Sequence, residues 1–173
     1  MRLETSKSEC RLRTWASTDG ANLIVLANNR KVWRNLTDAF PNPYTQADAD
    51  GWMSVANAKG RSVHLAIDLN GQAIGGIGAI AGDGMRIATA DFGYWLGEPF
   101  WGKGIATAAA IAFSDWLIAE RVFSRLQATV YEWNPPSGRV LEKAGFVKEG
   151  VLLKSVTKDG HLIDSATYAR TAA

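Results

Sequence analysis

The amino-acid sequence predicts one α+β domain over residues 1–173, built on a mixed, mostly antiparallel sheet of about seven strands flanked by helices. Three observations carry this expectation. Residues 62–69 and 72–80 flank Asn70-Gly71, a strong hairpin signal, and Asp83-Gly84 turns the chain again into residues 86–96. Two helix-forming stretches come next, the first alanine-rich, with residues 125–133 between them. Lys158-Asp159-Gly160 then joins a final pair of strands. Strands before and after two central helices make a mixed sheet and not a doubly wound one.

In chain order, residues 10–15 alternate Cys10, Leu12 and Thr14 with Arg11, Arg13 and Trp15, the period of a short strand. Ser17 or Thr18 is placed to cap a helix carrying Leu23, Ile24, Leu26 and Ala27. A second helical piece holds Val32, Trp33 and Leu36. It ends at Phe40-Pro41-Asn42-Pro43-Tyr44, because prolines do not fit a helix interior. Thr45 caps a helix with Ala47, Trp52, Met53 and Ala56, which is expected to stop at Gly60. The glycine-rich segment AIGGIGAIAG is apolar throughout, so its strand is buried or closely approached. In the next strand Phe92, Tyr94 and Leu96 share one face, with Asp91, Gly93 and Trp95 on the other. The long helix puts Ile105, Ala108, Ala109, Ala112, Phe113, Trp116 and Leu117 on one broad face. Leu126, Ala128 and Val130 share a strand face in residues 125–133. Asn134-Pro135-Pro136-Ser137 leads into a short helix over residues 138–144, stopped by Gly145, and residues 146–157 and 161–170 close the chain as a hairpin.

Composition excludes several classes. A hydrophobic fraction of 47% and a charged fraction of 21% are those of a soluble globular protein. The formal net charge of +2 is too small and interspersed for a nucleic-acid surface. Cys10 is alone, which fits a reducing compartment. No apolar run nears the ~20 residues of a membrane span. The opening MRLETSKSECRLRTW has no apolar signal-peptide core, so the cytoplasm is the expected location, with neither membrane nor nucleic acid as partner. No metal-ligand spacing occurs, and no serine sits on a nucleophile elbow.

The chemistry concentrates in ADFGYWLGEPFWGKGIATAAAIA. A strand ends at Gly97-Glu98-Pro99, a turn runs through Trp101-Gly102-Lys103-Gly104, and a helix starts at Ile105-Ala106-Thr107. That order offers free backbone N–H groups and a positive dipole end to a phosphate, with Lys103 adding a cation. A plain tight turn is the other reading of a G-x-G at such a junction. The loop is not a Walker motif, and Thr107 stands where a dinucleotide fold needs its third glycine. The Phe40 to Tyr44 loop has two readings as well, a plug at a core edge or a ligand contact.

Gly102-Lys103-Gly104-Ile105-Ala106-Thr107 after a short strand resembles the acetyl-CoA loop of the GNAT N-acetyltransferase superfamily, [QR]-x-x-G-x-[GA], with Trp101 in place of Gln or Arg. That aromatic is similar to the ribosomal-protein N-terminal (Rim-type) branch. So are Asn134-Pro135-Pro136-Ser137 with Val140-Leu141-Glu142-Lys143-Ala144-Gly145-Phe146, Glu149-Gly150, Lys158-Asp159-Gly160, and Asp164 with Tyr168. Asn35, Phe40-Pro41, Pro43-Tyr44-Thr45 and Trp52 extend the likeness over nearly the whole chain.

The resemblance implies an acetyl-CoA-dependent N-acetyltransferase that uses no metal. It implies direct transfer, in a ternary complex, to a primary amine such as a protein N-terminal α-amine. An antibiotic or toxin amine acetyltransferase and a non-catalytic acyl-CoA sensor are the alternatives. The pantetheine arm is expected to pair with the backbone of Trp95 and Leu96, where the sheet splays. The pyrophosphate is expected on Trp101, Gly102, Lys103, Gly104, Ile105, Ala106 and Thr107, with Asn134, Ser137 and Lys143 as further cofactor contacts. Asp91 and Ser137 are the candidate proton carriers, against a cross-strand ion pair and a helix cap as the plainer roles. His64 and His161 read as packing or surface residues. Trp33, Phe40 and Tyr44 are the candidate acceptor contacts, and the apolar terminal hairpin suits a homodimer.

Overall fold

Hairpin chemistry builds the first half of the sheet, and the computed structural model describes residues 1–120 and 123–172. The strands are β1 (Arg2–Glu4), β2 (Cys10–Arg13), β3 (Val63–Leu69), β4 (Gln72–Ala81), β5 (Thr89–Leu96), β6 (Arg125–Tyr131), β7 (Val147–Lys158) and β8 (His161–Thr171). They form one eight-stranded sheet in the order β1-β2-β3-β4-β5-β6-β8-β7. All neighbours are antiparallel except β5 and β6, which run parallel through Thr89, Ala90 and Asp91 opposite Arg125, Leu126 and Gln127. Asn70 at φ 52° and Gly71 at φ 89° make the expected tight turn between β3 and β4.

The helices are α1 (Gly20–Ala27), α2 (Arg30–Trp33), α3 (Gln46–Ala56), α4 (Ile105–Ala119) and α5 (Pro135–Lys143). Each face of the sheet carries its own core. On one face α4 buries Ile105, Ala109, Ala110, Phe113 and Leu117 against Phe92, Leu96 and Phe146. On the other, Leu23, Ala27, Ala49 and Ala56 of α1 and α3 pack with Trp15, Tyr44 and Ala66. Beneath them β4 runs as glycine because a Cβ at Gly76 would lie 3.0 Å from the rings of both Trp15 and Trp95. On the opposite side Arg170 donates to the Ser114 hydroxyl (2.7 Å) and the Ala144 carbonyl (3.0 Å) and pairs with Asp115, clamping α5 onto α4 and β8.

Several boundaries differ from the sequence reading, each for a local reason. β1 is an added strand, three residues too short to show a period, and it forms only by pairing Arg2, Leu3 and Glu4 with Arg13, Leu12 and Arg11. Neither Ser17 nor Thr18 caps α1. Asp19 stands at the N-cap with no capping hydrogen bond, because its carboxylate is spent on Arg13 and the Ala16 N–H. Thr45 caps α3 as expected, in a capping box with Asp48, but the helix ends at Asn57 and not at Gly60. A 3-10 turn at Gly84–Arg86 delays β5 to Thr89. α5 starts earlier than expected, at Pro135, because prolines in a first turn lose only N–H groups that have no helical partner. In α4 the buried set takes in Ala110 and Ser114, while Ala112 and Trp116 are only half-buried. β7 lies at the sheet edge with Val151, Leu152 and Leu153 exposed, the surface on which the homodimer expectation rests.

The buried ionic network of the first half is testable. Arg13 bonds both Asp19 oxygens (2.7 and 2.8 Å) and Asp68 (2.7 Å), and Asp68 also accepts from the Gly71 N–H. Burial alone pushes the Asp19 carboxyl up, but the Arg13 bonds, the Ala16 N–H and the Arg13 charge together leave it below its ordinary value. A carboxylate depressed in the folded state stabilises above its unfolded pKa, and that contribution is lost as pH falls through the folded one. Asp19→Asn is expected to cost about 3 kcal/mol at neutral pH, the lower end for breaking a buried pair because Arg13 keeps Asp68. The gap between the melts of the two proteins should begin to narrow below about pH 4 and close as pH falls through the depressed folded value. An equal gap at pH 7 and pH 3 would contradict the ionic account.

Candidate active site

Beyond Asp91 the two parallel strands part. β6 continues along β8 as far as Tyr131 opposite Ser165, while β5 continues along β4 as far as Leu96 opposite Gly75. Gly97 donates to Ile74 of β4 and the Thr89 carbonyl accepts from Gly82, so the odd-numbered residues of β5 turn their backbone groups toward β4. The even-numbered ones face the other way, as Ala88 does in accepting from Ser124 and Arg125. Along the gap it is therefore the Phe92 carbonyl and the peptide groups of Tyr94 and Leu96 that face no neighbouring strand, since the Asp91 to Gln127 bridge takes the Phe92 N–H. This corrects the expected Trp95 backbone contact, since that residue's groups belong to the β4 ladder. The Leu96 carbonyl is also taken, by the Trp101 indole N–H at 2.6 Å. A strand with unpaired ladder groups is a receptor for an extended amide-bearing arm.

At the end of that gap sits the glycine loop. Gly102 and Gly104 both adopt φ 73°, the left-handed region that a glycine enters freely. No hydrogen bond within the chain, among the described residues, takes the N–H groups of Gly102, Lys103 or Gly104. Those of Ile105, Ala106 and Thr107 belong to a first helical turn, whose donors have no intrahelical partner. Gly104 is the N-cap and offers no capping side chain, and the first turn holds no acid. Six donors and a dipole end thus converge with nothing in the chain to satisfy them, which fits a pyrophosphate. Trp101 is 41% exposed beside the loop, and Lys103 is exposed with its ammonium 5.6 Å from the Phe100 ring centre.

On the α4 side of the gap, Ser137 Oγ lies 2.8 Å from Tyr94 Oη. Ser137 is not a helix cap. Asn134 holds the N-cap, without a side-chain bond, and Ser137 donates its N–H to the Asn134 carbonyl. Burial pushes the Tyr94 phenol up to about 12, opposed by its bond to Ser137, so it is a protonated donor throughout the neutral range. The sequence reading passed over Tyr94 because at period two it looked like core. Lys143 is exposed in the last turn of α5.

On the opposite side, Asp91 occupies the closed end of the gap. It is half exposed, accepts from Gln127 Nε2 at 2.7 Å and lies 3.4 Å from Arg86, so the plainer ion-pair role is partly realised. Further along that face, Phe40 packs edge-on to Trp95 (5.6 Å) and tilted on Tyr44 (5.2 Å). Tyr44 is only 4% exposed, in the second core, so it backs Phe40 and does not line the opening. The β6 side supplies Tyr131 and Trp133, edge to face at 6.2 Å, with the Arg34 guanidinium over Trp133 at 4.5 Å. Trp33 is tied down by Lys158, which is 1% exposed, sits 3.6 Å from the Trp33 ring centre and pairs with Asp38 at 2.5 Å. Arg30 and Asp159 pair across the same seam. Tyr131 and Trp133 were missed because they bracket a proline turn and share no periodic pattern with the residues they meet. His64 packs against Trp52 at 5.1 Å with burial holding its pKa down, and His161 contacts the Asp159 carbonyl. Neither reaches the gap. Among the described residues no cluster of His, Cys, Asp and Glu has metal-binding geometry, and no helix is long and apolar enough to cross a membrane.

A parted parallel pair above a helix N-terminus with free donors suits a nucleotide-tethered acyl carrier, and the class so defined is the acetyl-CoA-dependent acyltransferases. The chain belongs to the acetyltransferase (GNAT) domain family, which matches residues 10–147. It is 28% identical over 143 residues to the SPbeta prophage-derived uncharacterized N-acetyltransferase YokL of Bacillus subtilis (strain 168), covering 82% of this chain and 78% of that one. Its fold superposes on Mycobacterium smegmatis RimJ in complex with CoA-disulfide at a TM-score of 0.86, 26% identical over 99% of this chain and 88% of the other. RimL, the ribosomal L7/L12 alpha-N-protein acetyltransferase in complex with coenzyme A, gives the same TM-score at 20% identity, with 98% of each chain covered.

Proposed function

We propose that the protein transfers the acetyl group of acetyl-CoA directly to an α-amine at a protein or peptide N-terminus, within a ternary complex. Acetyl-CoA supplies the thioester. Residues 102–107 and Lys103 bind its pyrophosphate, and the even-numbered peptide groups of β5 align its arm, which holds the carbonyl in line for attack. Ser137, hydrogen-bonded to Tyr94, carries a proton to the departing thiolate, with Tyr94 positioning the hydroxyl. Asp91, on the acceptor face, receives the amine proton through water. Trp33, Phe40, Tyr131 and Trp133 wall the acceptor, and Asn134 and Lys143 flank the cofactor.

The charge of the opening carries the choice of acceptor. Beside Trp133, and outside the gap itself, a cleft of about 630 Å³ is lined by Arg30, Lys31, Arg34, Trp133, Asp159 and His161. Its carboxylates are already engaged, Asp159 by Arg30, with nearby Glu98 on Lys31 and Asp38 on Lys158. Among the described residues, no carboxylate lining it is left free to balance the extra cations of a polyamine. An α-amine with pKa near ~7.7–8.0 keeps a substantial neutral fraction near neutral pH, whereas a lysine-like amine near ~10.4 keeps almost none, so the α-amine attacks with little help from a base.

The test is thiol release from acetyl-CoA with short peptides bearing a free N-terminus, the same peptides blocked at the N-terminus with an internal lysine, and spermidine. Release with the free α-amine peptides alone is expected. At 100 times its dissociation constant acetyl-CoA should add roughly 2.7 kcal/mol of stability. Stabilisation without release for any amine would support the sensor alternative, and preference for spermidine would support a small-molecule acetyltransferase.

A further inference from the structure

We propose that Lys7, on the turn between β1 and β2, is a second phosphate-binding cation of the cofactor site, adding to Lys103 at the coenzyme A pyrophosphate. The proposal rests on the reading of residues 102–107 as the cofactor cradle. A Cβ at Gly104 would lie 3.4 Å from Lys7 Cε and 4.0 Å from its Nζ, which puts the ammonium over the N-cap of α4. The turn that carries it is internally braced. Thr5 Oγ1 donates to the Cys10 carbonyl at 2.8 Å, the Lys7 N–H donates to Thr5 Oγ1 at 3.1 Å, and the Cys10 N–H donates to the Lys7 carbonyl at 2.9 Å. Lys7 therefore reaches the N-cap of α4 from 97 positions earlier in the chain, through the placement of β1 beside β2.

The electrostatics ask for an anion between them. Among the described residues no carboxylate lies within ion-pair distance of Lys7 or Lys103. The first turn of α4 contributes no acid, and the helix end is itself positive. Two ammonium groups and a dipole end of the same sign repel one another unless an anion sits among them, and a pyrophosphate offers two negative charges at that place.

Titration calorimetry of coenzyme A and of 3′-dephospho-coenzyme A into the full-length protein and its Lys7→Ala and Lys7→Arg variants tests this. Lys7→Ala is expected to weaken both ligands by about tenfold, the size of one charge-assisted hydrogen bond, while Lys7→Arg keeps most of the affinity. A loss seen with coenzyme A but absent with the dephospho form would place Lys7 on the 3′-phosphate and overturn the pyrophosphate assignment. Equal affinity of Lys7→Ala and the parent overturns the proposal while leaving the cradle intact. Failure of the parent to bind either ligand overturns the cradle reading itself. Melting of the ligand-free variants checks the fold, in which the Lys7 side chain is exposed.

Discussion

Gly104→Val is expected to abolish acetyl-CoA binding in a domain that still folds. Gly104 sits at φ 73° and ψ 5°, a conformation that costs an L-residue roughly 1–2 kcal/mol and a β-branched one more. The loop would relieve that strain by rotating its peptides, which turns the N–H groups of Lys103 and Gly104 away from a common point. The new Cβ would also crowd Lys7 Cε at 3.4 Å. Each charge-assisted hydrogen bond contributes about 1.5–3 kcal/mol, so losing two of them weakens binding by more than about a hundredfold. Calorimetry reads the affinity, and circular dichroism with a ligand-free melt confirms the fold. A well-folded Gly104→Val that binds normally would sink the cradle reading.

The second large effect concerns the proton. Ser137→Ala is expected to lower kcat by about 10²-fold, the lower end for general acid–base assistance, and to leave the acetyl-CoA dissociation constant within about twofold. Because Asn134 and not Ser137 holds the N-cap of α5, the alanine variant loses no helix cap, and stability does not confound the rate. Tyr94→Phe removes the hydroxyl 2.8 Å from Ser137 and should reduce kcat by about tenfold. The double variant should be no slower than Ser137→Ala, since the two hydroxyls act as one unit. Asp91→Asn, measured alongside from pH 6 to 9, reports whether the half-exposed carboxylate at the closed end of the gap handles the amine proton. Wild-type kcat in all of these variants would leave proximity and carbonyl polarisation as the whole mechanism.

The α+β class, the Asn70-Gly71 hairpin, the Thr45 cap and the loop at residues 102–107 were all readable from the chain. Each is a local signal. Turn residues act through their own φ, a cap acts within four residues, and a glycine loop announces itself by the strand and helix that flank it. The same locality explains the misplaced stops. Gly60 is a sound C-cap type, but packing of α3 ended the helix a turn earlier, at Asn57. Ser17 looked like a cap until Arg13 claimed the neighbouring Asp19.

Sequence by itself thus determined the family, the strand order within each hairpin and the place of the glycine loop, because those depend on residue type and short spacing. Only the tertiary structure decided which backbone groups face the gap. That depends on the ladder between β4 and β5, which turns the even-numbered groups of β5, those of Tyr94 above all, toward the gap and takes Trp95 out. It alone joined Tyr94 to Ser137 across 43 positions, set Lys158 under Trp33 and laid Lys7 over Gly104. Such contacts have no period and no motif. They arise when eight strands twist and pack in one register, a property of the whole chain and of no segment within it.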